Sequence, residues 1–74
     1  MTLNKLNLNK KAKVIAIDDK SLIKTRLIDI GIIPGIVIEK VLTSPFKGIS
    51  AYLVMDSIIA IRDSDALFIE VCYE

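Results

Sequence analysis

Histidine is absent from these 74 residues, and with it go the commonest general base and the commonest imidazole metal ligand. Cysteine occurs once, at Cys72. There is therefore no internal disulfide and no thiolate pair for zinc, and a lone thiol without histidine lacks its usual activating base. Glycine is scarce: Gly31, Gly35 and Gly48 are the full set, and their spacing matches neither a Walker loop nor a dinucleotide fingerprint. No charge of one sign dominates. Ten Lys and Arg against nine Asp and Glu leave a net +1, which supplies no broad field for a phosphate backbone. The cluster Lys10, Lys11 and Lys13 reads as solvated protection beside a strand edge. The apolar run from Gly31 to Ile38 is broken by Pro34 and Gly35 and stops at Glu39, far short of the roughly 20 residues of a membrane-spanning helix. Residues Met1 to Lys13 alternate Leu with Asn and Lys, unlike the charged start and apolar core of a secretory signal. These absences point away from an enzyme, a nucleic-acid binder, a membrane-inserted chain and a bound cofactor. They point toward a cytoplasmic protein.

What remains is 53% hydrophobic and 26% charged, a composition that folds, in a length that suits one domain over residues 1–74. Short segments of period two, separated by turn signals, predict strands. The first is Ala12 to Ile17, rich in β-branched residues, and Asp18 and Asp19 stop it and offer N-caps to a helix. From Lys20 to Ile30, Ile23, Leu27 and Ile30 recur at helical spacing and predict one inward face. Gly31 then stands where a left-handed C′ residue is expected, and Pro34-Gly35 is a turn dipeptide. Strands are expected over Ile36 to Ser44, Ile49 to Met55, Ser57 to Arg62 and Leu67 to Tyr73. A tight turn is expected at Asp56-Ser57, and a single helical turn capped by Asp63 before the last strand. Cys72 reads as a small apolar residue of that strand. Five strands and one helix, between the first and second strands, predict a mainly β fold: a small SH3-like five-stranded barrel.

The carboxylates Asp18, Asp19, Asp63 and Asp65 fall at turns and helix starts, where capping explains them. Asp63 and Asp65 with Asp56 and Glu70 could in principle make an oxygen-rich site for a hard cation. Apolar residues with no obvious place in the core are Ile32 and Ile33, at the corner after the helix, and Phe46, in the Ser-Pro-Phe-Lys-Gly connection. These three are the candidate partner-binding residues.

The segment Arg26-Leu27-Ile28-Asp29-Ile30-Gly31-Ile32-Ile33-Pro34-Gly35 resembles the central pattern of the FeoA family: Arg-Leu, two residues, Leu-Gly-Leu, one residue, Pro-Gly. In the same order, Ser44-Pro45-Phe46 is similar to that family's Ala-Pro-Leu turn and Ile59-Ala60-Ile61-Arg62 to its Leu-Ala-Leu-Arg strand. Ala66, Ile69 and Val71 match its ending. Arg26, Leu27, Gly31, Pro34 and Gly35 are thus residues that specify the fold. Asn9, Asp56 and Lys40 depart from the pattern; Lys40 replaces an apolar strand residue and marks either a solvent-facing position or a bulge near Val41. The resemblance implies a cytosolic accessory that binds the GTP-binding part of the ferrous-iron permease FeoB, peripheral to the membrane through that partner. Arg26 or Arg62 would be candidates for an inserted arginine, although both lie in fold-defining segments. The alternative it implies is the regulatory module found at the C-terminus of metal-dependent transcriptional repressors.

Overall fold

A computed structural model describes residues 1–43 and 48–74. The chain builds five strands: β1 (Lys11–Ile17), β2 (Val37–Thr43), β3 (Ile49–Val54), β4 (Ser57–Arg62) and β5 (Ile69–Tyr73). Helix α1 (Lys24–Asp29) lies between β1 and β2, and a single turn, α2 (Asp63–Ala66), lies between β4 and β5. All pairings are antiparallel, in the order β4-β3-β2-β1-β5. The sheet is strongly bent but does not close: among the described residues β4 and β5 are not paired, so the expected closed barrel is an open one. β1 is an inner strand, with β2 on one side and β5 on the other. Lys11 and Lys13 therefore stand on the exposed face of an inner strand and protect no edge.

Two bulges give the sheet its bend. In β1 the register against β5 shifts between Val14 and Ala16, which leaves Ile15 and Ala16 outward and resets the alternation so that Ala12, Val14 and Ile17 point inward. In β2 the shift against β3 falls between Lys40 and Leu42, the bulge expected near Val41. An extra residue on one strand kinks it and increases its twist. The hairpin β3–β4 turns on Met55 and Asp56, one residue earlier than expected. Both have positive φ, 49° and 69°, the signature of a two-residue type I′ turn closed by the Val54–Ser57 pair.

The α1 region departs most from periodicity. Asp18 and Asp19 do not cap the helix. The Asp18 carboxylate accepts the Lys20 N–H, Asp19 pairs with Lys24, and the Ser21 hydroxyl accepts the N–H of Ile23, the N-cap residue. Residues 20–23 are thus used in turns and the helix is six residues long. At its end the Gly31 N–H donates to Ile28 O and the Ile32 N–H to Leu27 O, a Schellman arrangement with Gly31 at φ +100°. The chain reverses there and carries Ile32 back onto Leu27, while Ile30 is left 42% exposed. Pro34 and Gly35 form the next turn. Ile36 N–H donates to Ile33 O, and Gly35 N–H to Val14 O, which fixes the start of β2 beside β1.

The core is Leu27, Ile32, Ile38, Tyr52, Val54, Ile61, Ile69 and Val71 with their smaller neighbours, joined by Leu3 and Leu6 from a 3-10 turn at Leu3–Lys5. That turn was not expected. Its residues are tied down because Met1 exchanges hydrogen bonds with Val71 and Thr2 bridges Glu70, laying the N-terminal residues along the outer edge of β5. Leu67 and Cys72 point to solvent rather than inward, and Asp63 lies in the first turn of α2 without capping it.

Candidate interaction surface

The absence of closure between the sheet and α1 leaves a groove of about 430 Å³. Ile23 and Ile30, which flank α1, and Ile59 from β4 form its apolar walls, over the buried Leu27 and Ile61. Arg26 stands on one side, Arg62 and Asp65 on the other. Both arginines are exposed, and among the described residues the only ion pairs are Met1–Glu70 and Lys24–Asp19. The guanidinium groups thus have no ion-pair partner among the described residues. Their membership of fold-defining segments does not bury them: the backbone serves the fold while the side chain stands free. Sequence reasoning named both arginines but not the groove. The signal that was available is the composition of β4, Ser-Ile-Ile-Ala-Ile-Arg, too apolar for a strand with one solvated side.

Ile32 is removed from the partner surface by its complete burial; it is a core residue through the Schellman reversal. Ile33 is 42% exposed, on the segment between the helix cap and the Pro34-Gly35 turn. Phe46 lies outside the described residues. Leu27 is core, and Gly31, Pro34 and Gly35 occupy turn positions. The four carboxylates considered for a cation are dispersed: Asp56 in the hairpin turn, Asp63 and Asp65 in α2, Glu70 on β5 with the Met1 ammonium. Among the described residues no three His, Cys, Asp or Glu side chains gather as a metal site, and no helix is long and apolar enough to cross a membrane.

Polar groups enter the interior of this otherwise apolar module: Ser21, Lys40 and Ser50 are buried. Lys40, far from pointing to solvent, is 7% exposed. Its ammonium lies 5.8 Å from the centre of the Tyr52 ring and 3.5 Å from the Asn4 carbonyl, so it links the 3-10 turn to the sheet. The Tyr52 hydroxyl is buried without a hydrogen-bond partner among the described residues. Burial, reinforced by the charge of Asp63 and opposed by Ser50, pushes this phenol up from 10.0 to about 12. The unfolded chain ionises its tyrosine near 10, so between pH 10 and 12 it releases a proton that the folded chain retains. Stability is untouched below that window and falls as pH rises through it. Urea melts at about pH 8 and about pH 11 should show a loss at high pH that is smaller in Tyr52→Phe. At neutral pH that variant should be as stable as the parent, or up to about 1–2 kcal/mol more so, because the unpaired hydroxyl is gone.

A family model, the FeoA domain, matches residues 1–72. The chain belongs to the FeoA family. Among solved structures, a FeoA-like protein from Clostridium acetobutylicum is 27% identical, with a TM-score of 0.90 over 99% of this chain and 85% of that one. FeoA from Stenotrophomonas maltophilia, solved with zinc and described as an SH3 domain protein linked to activation of ferrous iron transport, is 26% identical. Its TM-score is 0.82, over 96% of this chain and 88% of its own. A manganese-dependent transcriptional repressor shares the fold at 16% identity and a TM-score of 0.89, the match covering all of this chain and 41% of the repressor. No curated protein matches in sequence. The fold of this FeoA-family chain is thus mainly β and SH3-like, a five-stranded antiparallel sheet with small helices.

Proposed function

We propose that this chain is a cytosolic accessory of ferrous iron uptake that binds the GTP-binding part of a FeoB-type permease and modulates it, without catalytic chemistry of its own. The observation that carries the reading is the FeoA-family match across residues 1–72. It is supported by a surface suited to a macromolecular partner: an open apolar groove with unpaired arginines, and Ile33 projecting beside the helix cap. Ile33 is assigned to the contact surface. The likeness to a repressor favours a second reading, a regulatory module acting on a DNA-binding domain.

Titration calorimetry of the chain against the isolated GTP-binding domain of the permease encoded in the same genome tests the first reading. Saturable binding is expected, with the permease's rate of GTP hydrolysis altered at saturation. Ile33→Ser should weaken binding while leaving the melting transition in place. Absence of binding in both nucleotide states would overturn the reading, and binding instead to the isolated DNA-binding part of a repressor would establish the second.

A further inference from the structure

The two edges of the sheet are treated differently by the chain. Along β5 the outer backbone groups are met by the N-terminal residues: Val71 N–H donates to Met1 O, the Met1 ammonium donates to Val71 O, and Thr2 bridges Glu70. Along β4 nothing among the described residues takes that role, since β4 is the last strand in the order and its only partner is β3. In a two-residue hairpin the pair that closes the turn is hydrogen-bonded and the bonded pairs then alternate. Ser57, Ile59 and Ile61 therefore aim their N–H and C=O groups at β3. Ile58 and Ala60 aim theirs outward, into the space beside the strand.

An edge of this kind invites pairing, and proteins usually blunt it with lysine, proline, an inward charge or a covering segment. β4 has no lysine or proline and no inward charge, and Ile58 is 69% exposed. Beside it runs the groove, with apolar walls of Ile23, Ile30 and Ile59 and the unpaired guanidinium groups of Arg26 and Arg62 against the single carboxylate of Asp65. Free backbone donors and acceptors, alternating apolar contacts and excess positive charge on one site describe strand addition by a chain of opposite charge.

We propose that the β4 edge accepts an extended acidic segment of a partner polypeptide as a sixth strand, its apolar side chains seated in the groove and its carboxylates paired with Arg26 and Arg62. The proposal rests on the reading of this chain as a partner-binding module but not on the partner's being a permease. Backbone pairing supplies most of the affinity. The arginines, which can hold a carboxylate through two parallel hydrogen bonds, select for acidic sequence.

The test is a titration of the isotope-labelled protein with a short blocked peptide of alternating valine and glutamate, followed by amide resonances and hydrogen exchange. Perturbations should centre on β4 and α1, with exchange slowed at Ile58 and Ala60. A peptide with lysine in place of glutamate should bind at least about tenfold more weakly, equivalent to 1.4 kcal/mol. Arg26→Glu and Arg62→Glu should each cause a loss of the same size. Ala60→Pro deletes an N–H that makes no bond within the sheet, so it should abolish binding while the melting temperature stays close to that of the parent. The proposal is overturned if perturbations fall elsewhere, if exchange at Ile58 and Ala60 is unchanged at saturation, if both peptides bind alike, or if β4 pairs with a second copy of the chain and excludes the peptide. A permease domain that fails to bind while the peptide binds removes the partner named above and leaves the edge site standing; the reverse result removes the edge site alone.

Discussion

Ile32→Ala is expected to lower the stability of this domain by about 2–5 kcal/mol, the range for deleting most of a fully buried isoleucine, whereas Ile33→Ala should stay within about 0.5 kcal/mol. The two residues are adjacent and chemically identical, so the contrast isolates position. Ile32 is fully buried and seated on Leu27, the contact that usually accompanies a Schellman reversal. Ile33, one residue further, is 42% exposed. A domain of this length is held by roughly 4–11 kcal/mol in total, so the Ile32 variant should melt in markedly less urea and populate unfolded chain at moderate temperature. Equal urea midpoints for the two variants would contradict the reversal described after α1.

Gly31→Val should cost about 2 kcal/mol, seen as a fall of roughly 10 °C in melting temperature for a domain of this size. At φ +100° a β-branched residue is strained by its own backbone. A Cβ there would also meet the Met55 sulfur at 3.3 Å, a contact that the exposed, flexible thioether relieves by a small shift, so the backbone strain is the larger part of the cost. Gly31→Asn, which tolerates the left-handed region better, should lose less. Thermal melts monitored in the far ultraviolet separate the two, and an unchanged transition in the valine variant would mean that the helix terminates in another way.

The parts of the fold that were legible in the sequence are those where a backbone requirement selects the residue type. Gly31 and Pro34-Gly35 could be placed because positive φ and a fixed turn leave few substitutes, and the strands because β-branched residues recur with period two. What periodicity misread is the end of α1. The spacing of Ile23, Leu27 and Ile30 assumes a helix that continues, but Asp18, Asp19 and Ser21 use the first residues in turns and Gly31 reverses the last. Ile32 is buried in place of Ile30 for that reason. Leu3 and Leu6 carry no periodic signal because a 3-10 turn is too short to show a period, although their three-residue spacing suits one. Lys40 could be read only as solvent-facing or bulge-marking, since burial of an ammonium over Tyr52 depends on a ring contributed by another strand. The groove is less legible still: Arg26 and Arg62 are far apart in sequence and come to line one groove only through the tertiary fold.

The position of β5 also governs when this domain can form during its synthesis. β1 is made before the other four strands, yet one of its two neighbours, β5, is the fifth of them, pairing Ala12 with Tyr73 and Ile17 with Ile69. Until residues 69–73 have left the ribosome, β1 has an open side and the core lacks Ile69 and Val71. The hairpin β3–β4 and the pairing of β2 with β3 are local and can form early, but joining the distant ends incurs the loop-closure cost of almost the whole chain. The nascent polypeptide therefore waits with a partly assembled sheet, and cooperative folding follows the emergence of residues 69–73.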